Sequence, residues 1–225
     1  MIDQTIDLKK LERKVWTSFF EDGIWDIYLG LLLLAMGAGA LVSDIGLSKT
    51  AHMIIYLLLV GGAGLFLWAG KRFITMPRIG RVIYGAKAKA RKVKTIIVLT
   101  VSVLVGFVAF VIAGLSAKGS LPQSLPAELL LPGIWVGNML VVFSLAAYFL
   151  RFDRLYLIGV MFAICVPLDI VLKDLLHLDL TFIAFGLPAM VILIIGFTVL
   201  ARFLRKYSIP SADVPSSEVE DAGVH

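Results

Sequence analysis

A chain of 225 residues in which 60% of side chains are hydrophobic and the mean hydropathy is +0.95 carries too much apolar surface for a water-soluble domain, whose apolar usage is nearer half. The net charge of +5 and the pI of 9.4 come from bases confined to a few segments, which is a membrane-topology pattern and makes nucleic acid the wrong partner to expect. The lone cysteine, Cys165, lies inside an apolar run, so an internal disulfide and a cysteine-cluster metal or redox centre are excluded and core packing is its expected role.

Residues 1–23 form an amphipathic segment. Ile6, Leu8, Leu11, Val15, Phe19 and Phe20 fall mostly on one side of a helical wheel, with Lys9, Lys10, Arg13 and Lys14 on the other. The pattern predicts a helix in the cytoplasmic interface with Trp16 at headgroup depth, or the same face packed on the protein's own loops. Six apolar runs follow: Ile24 to Val42, Ala51 to Gly70, Thr95 to Leu115, Leu130 to Leu150, Leu155 to Leu172 and Thr181 to Ala201. Each has roughly the 18 to 21 residues that a helix needs to cross about 30 Å of hydrocarbon. No small-residue cleavage site stands out near the first, which reads as a retained span.

The expected fold is therefore all-α, a polytopic membrane protein with six transmembrane helices in one bundle over residues 24–207. A disordered cytoplasmic tail over 208–225 follows, carrying Pro210, Pro215 and paired serines. Placing the connections alternately inside and outside leaves Lys49, Lys118 and Lys173 as three of the 21 bases on the outer side. The positive-inside rule then puts both termini in the cytoplasm and the protein in the cell's inner, cytoplasmic membrane. The segment Ser116 to Leu129, with Gly119, Pro122 and Pro126, reads as an irregular outer loop.

Small residues stud the spans: Ala35 and Gly39, then Gly61, Gly62 and Gly64, then Ser102, Gly106, Ala109 and Ala113, then Gly133 and Gly137. They predict close helix approach in a tight bundle, and a homo-oligomer or a membrane partner. Gly23-Ile24-Trp25 recurs as Gly133-Ile134-Trp135 three helices later, an echo that an inverted repeat would leave and that chance leaves more readily.

An acid within a span costs roughly 2.5 to 3.5 kcal/mol on insertion scales, so intramembrane acids are the first place to look for function. Asp22 and Asp26 open the first span, where Asp22 caps the helix and Asp26 complements its positive end. The functional alternative makes Asp26 part of a transport path. Asp169 follows Pro167 in the fifth run. Lys173, four residues on, is its natural partner, while the proline kink offers the alternative of an acid aimed at a cavity. Asn138, beside Gly137, reads as a hydrogen-bonding group at a helix contact, or as a substrate ligand. Asp174, His177 and Asp179 have the donor atoms for a divalent cation, but short wet loops share this composition, and no metal site is expected.

The cytoplasmic loop 71–94 holds nine bases and no acid. Arg78, Arg81, Lys87, Lys89, Arg91 and Lys92 are its candidate contacts to anionic lipid headgroups or to an acidic or phosphorylated partner. Pro77-Arg78-Ile79-Gly80 reads as a rigid turn presenting Arg78.

Glu21-Asp22-Gly23, followed by Asp26-Ile27 and Gly30-Leu31 and then by Pro77-Arg78-Ile79-Gly80, resembles an uncharacterised family of prokaryotic multi-pass membrane proteins over roughly the first ninety residues. The resemblance implies no activity. It directs attention to Asp22, Gly23, Asp26, Pro77, Arg78 and Gly80. The three histidines, His52, His177 and His225, lie outside the apolar runs, and the sequence has no zinc-protease helix, phosphate-binding loop or paired intramembrane aspartate. The sequence therefore predicts a protein that is not an enzyme and uses no cofactor. The expected role is a membrane scaffold or accessory subunit with a basic cytoplasmic face. A small transporter or channel using Asp26, Asn138 and Asp169 is the competing class.

Overall fold

The computed structural model describes residues 20–44, 48–79, 86–117, 127–177 and 180–207. Its elements are α1 (Ile24–Asp44), α2 (Lys49–Ala69), a π-helical turn (Gly70–Thr75), α3 (Met76–Ile79), α4 (Ala86–Ala117), α5 (Ala127–Leu150), α6 (Arg154–Leu176) and α7 (Thr181–Lys206). Among the described residues five helical stretches are long and apolar enough to cross a membrane: Ile24–Val42, Lys49–Arg78, Pro132–Leu150, Arg154–Leu176 and Thr181–Lys206. Within α4, which is continuous over Ala86–Ala117, the apolar stretch among the described side chains is Val93–Ala109. The amphipathic segment up to residue 19 and the tail from 208 lie outside the described residues.

Neighbouring helices pack in the order α2, α1, α7, α6, α5, α4. The α7 span is 50% buried within the chain and that of α2 only 11%, which puts α1, α7 and α6 at the centre of the row. Helix directions alternate along the sequence, so the start of α1, the end of α2, the start of α6 and the end of α7 share one end of the molecule. Glycine makes the central contact. A Cβ on Gly23 would lie 2.5 Å from the Gly196 carbonyl oxygen, and one on Gly196 would lie 2.7 Å from Ile27 Cγ1. Gly23 also has φ of 75°, a backbone conformation that glycine adopts freely. Further along, Gly30 meets Leu193 and Gly37 meets Phe185. Leu33, Ile158, Phe162, Cys165, Ala184, Phe185, Ala189 and Ile192 then form the buried core between α1, α6 and α7.

The fold departs from the sequence reading in three places. Much of the basic segment 71–94 is helical: Lys71–Ile79 continues α2, and Ala86 to Lys94 begins α4. Pro77 thus lies in a helical turn, with Gly80 outside the described residues. Because Pro77 has no N–H to donate, a wide turn immediately before it lets the chain stay helical. Likewise Ser116, Ala117 and Ala127 to Leu129 are helical, and the rest of that expected loop, 118–126, lies outside the described residues. Finally, a Cβ on Gly61, Gly62, Gly64, Gly106, Gly133 or Gly137 would meet nothing within 4 Å. Of the glycines expected to make contacts, Gly39 meets Tyr56 at 3.5 Å; closer approach comes from Gly23, Gly30, Gly37 and Gly196 in the main α1–α7 interface, and from Gly159 against Phe143.

Candidate functional site

The start of α1 is clamped from two sides by bases that arrive from distant sequence. Asp22 is fully buried. Its Oδ1 accepts a 3.1 Å hydrogen bond from Ile24 N–H, capping the helix entrance. Its Oδ2 accepts from Lys71 Nζ at 2.6 Å and from Thr75 Oγ1 at 2.5 Å. Lys71 and Thr75 are themselves buried and stand four residues apart on the π-helical turn, so a single turn presents both donors to one carboxylate. Charge-assisted hydrogen bonds of this length are the strong kind.

Asp26, one helical turn further on, is also fully buried. Arg154 Nη2, from the first residue of α6, lies 3.3 Å from its Oδ2. The same nitrogen donates to the Phe20 carbonyl at 2.6 Å, and its approach to Asp26 is an ion pair without hydrogen-bond geometry. Neither oxygen of Asp26 has a hydrogen-bond donor among the described residues, and the neighbouring Trp25 Nε1–H has no acceptor there. An aromatic cover lies over this pair. Phe20 stacks on Phe152 with centroids 5.4 Å apart and contacts Trp25 at 6.3 Å, and the Arg154 guanidinium lies 5.1 Å from the Phe152 ring centre. Phe152 reaches this position through the α5–α6 turn, where Arg151 has φ of 54° and Phe152 N–H bonds to the Ala147 carbonyl.

Asp169 belongs to the other end of the molecule. It accepts from Lys173 Nζ at 3.0 Å and from Thr181 Oγ1, in the first residue of α7, at 2.8 Å. Asn138 lies half-buried in α5, and Trp135 on the same helix donates to the Phe162 carbonyl at 3.0 Å. Asp26, Asn138 and Asp169 are therefore not brought together. Arg78 turns back on its own helix, with one terminal nitrogen 3.0 Å from the Ile74 carbonyl and a buried Nε that has no acceptor among the described residues. Arg81 lies outside the described residues. Lys87, Lys89, Arg91 and Lys92 lie on the helical backbone of α4, in positions for which only the backbone is described. Asp179, one of the three outer cation-ligand candidates, is also outside them.

Lys71, Thr75 and Arg154 are the site residues that sequence reasoning missed. Lys71 and Arg154 sit where the positive-inside rule already expects bases, so nothing set them apart from charges that face lipid. Lys71 has an internal counter-charge, which corrects the picture of nine uncompensated cations.

Comparison of the chain with protein-family models, with curated proteins and with solved structures finds no match.

Proposed function

We propose that this is a non-catalytic scaffold or accessory subunit of the inner, cytoplasmic membrane. It spans the bilayer six times, with α4 as the sixth crossing, and has both termini in the cytoplasm. Its clasped end then lies at the cytoplasmic surface, and Arg78, Arg81, Lys87, Lys89, Arg91 and Lys92 are the contacts of that face for anionic lipid headgroups or an acidic partner. A homo-oligomer falls within the same reading. The observation that carries it is the placement of polar groups: Asp22 and Asp26 are tied to bases at one end, and Asp169 to Lys173 and Thr181 at the other. A transport path needs such groups to converge on one cavity. Among the described residues, a groove of about 290 Å³ between α4 and α5 is lined by Val101, Leu104, Val105, Val108, Ala109 and Ile134, none of which offers a substrate a hydrogen-bonding or charged side chain. The residues that resemble the prokaryotic membrane family gain a physical role on this reading, because Asp22, Gly23, Asp26, Ile27 and Gly30 all sit in the clasp or the α1–α7 contact.

One observation favours the alternative class of small transporter or channel: the carboxylate of Asp26 is buried without a hydrogen-bond donor among the described residues. The two readings separate in proteoliposomes. A scaffold leaves the vesicles ion-tight, and changing Lys87, Lys89, Arg91 and Lys92 together to Gln weakens binding of added anionic vesicles steeply, whereas Arg78→Lys does little. A cation or proton flux that Asp26→Asn abolishes overturns the scaffold reading. If Arg78→Lys does more damage than the fourfold change, a shaped phosphate or carboxylate acceptor replaces bulk lipid as the partner.

A further inference from the structure

The π-helical turn that closes the clasp also builds something on its outer side. In an α-helix, residues five apart point about 140° away from each other. A turn closed by i to i+5 hydrogen bonds brings such residues over one another, and here Met76 N–H reaches back to the Lys71 carbonyl. The wide turn thus lets Trp68 and Phe73 meet edge to face, with centroids 6.3 Å apart and planes at 88°. Both rings face outward, at 60% and 67% exposure. Arg72, four residues after Trp68, is exposed beside them and has no acidic partner among the described residues. Its neighbour Lys71 is turned inward and neutralised by Asp22. One turn therefore sorts two consecutive bases, Lys71 into an internal ion pair and Arg72 to the exposed side.

We propose that this corner, formed by Trp68, Arg72 and Phe73, is a docking site for an anionic phospholipid. The two rings lie along the upper acyl chain and Arg72 holds the headgroup phosphate. Charge complementarity selects this occupant. The chain supplies no acid between Lys71 and Lys94 to neutralise Arg72, and an amphipathic ring pair beside a guanidinium matches a surface that is apolar below and anionic above. The inference rests on the proposed membrane setting but names residues outside the six basic contacts assigned there.

The test uses the full chain with Trp16, Trp25 and Trp135 changed to Phe, so that Trp68 is the single tryptophan. The protein is reconstituted into phosphatidylcholine vesicles containing a minor fraction of either brominated phosphatidylglycerol or equally brominated phosphatidylcholine. About fivefold enrichment of the anionic lipid at one basic residue is the expected scale, so phosphatidylglycerol should quench Trp68 markedly more strongly. Arg72→Gln should abolish that preference, and the fourfold Gln change on α4 should leave it in place. Equal quenching by the two lipids, or a preference that survives Arg72→Gln, overturns the site. A preference lost in the fourfold variant but kept in Arg72→Gln also overturns it, and leaves the basic-face reading standing. Conversely, a preference that depends on Arg72, in a protein whose vesicle binding ignores the fourfold change, upholds the corner while the broader basic-face reading fails.

Discussion

Asp22 shows what a buried charge requires. With a base, a hydroxyl and a backbone amide on its two oxygens, the desolvated carboxylate is matched, and so is Lys71. Removing one partner leaves the other charge buried and uncompensated, a loss of about 3 to 5 kcal/mol, whereas replacing the whole set by apolar side chains of similar size is often close to neutral. Asp22→Asn should therefore lower the thermal stability of the purified protein sharply, and the triple change Asp22→Leu, Lys71→Met, Thr75→Val should recover most of the loss. If the triple variant is as unstable as the single one, the clasp is not a self-contained electrostatic unit. Asp26 stands in a different position, since its base is held by a carbonyl and its oxygens have no donor among the described residues.

Among the helices, glycine position decides which pairs approach. Gly196→Ala drives a methyl group into Ile27 and the backbone of α1, and overpacking of this kind costs roughly 1 to 3 kcal/mol. Gly106→Ala on α4 meets nothing and should be neutral or add up to about 1 kcal/mol through helix propensity. Equal effects of the two changes on the unfolding midpoint would disprove the α1–α7 contact. This distinction was not legible in the sequence, where Gly106, Gly133 and Gly137 read as contact residues alike and Gly196 did not stand out. Spacing reveals which face a glycine shares but not which helix lies opposite. The apolar runs themselves were legible, because their length answers to bilayer thickness. The clasp was legible on one side only: an acid at the start of an apolar run stands out, but its partner Lys71 is 49 residues away and looks like any other base at the end of a span. The π-helical turn left no sequence signal beyond Pro77.

For the molecule as a whole, the proposed orientation is tested by cysteine accessibility. In a Cys165→Ala background, a cysteine at the exposed position Thr50 should react with an impermeant thiol reagent in intact cells, and one at Arg72 should react only after the membrane is opened; the opposite pattern would invert the protein. The row of helices also bears on how the chain is made. The principal partner of α1 is α7, which leaves the ribosome after the other described helices, and Arg154 on α6 is also late. During synthesis α1 must therefore wait with Asp26 and its glycine-lined face unmatched, while the turn that follows α2 supplies Lys71 and Thr75 to Asp22. Early pairing with Lys71 gives Asp22 a counter-charge during that wait, and Asp26 receives its own only when α6 is inserted. Assembly is thus closed from the C-terminal side, and a chain that stops before α7 leaves its first helix without the surface it was shaped to meet.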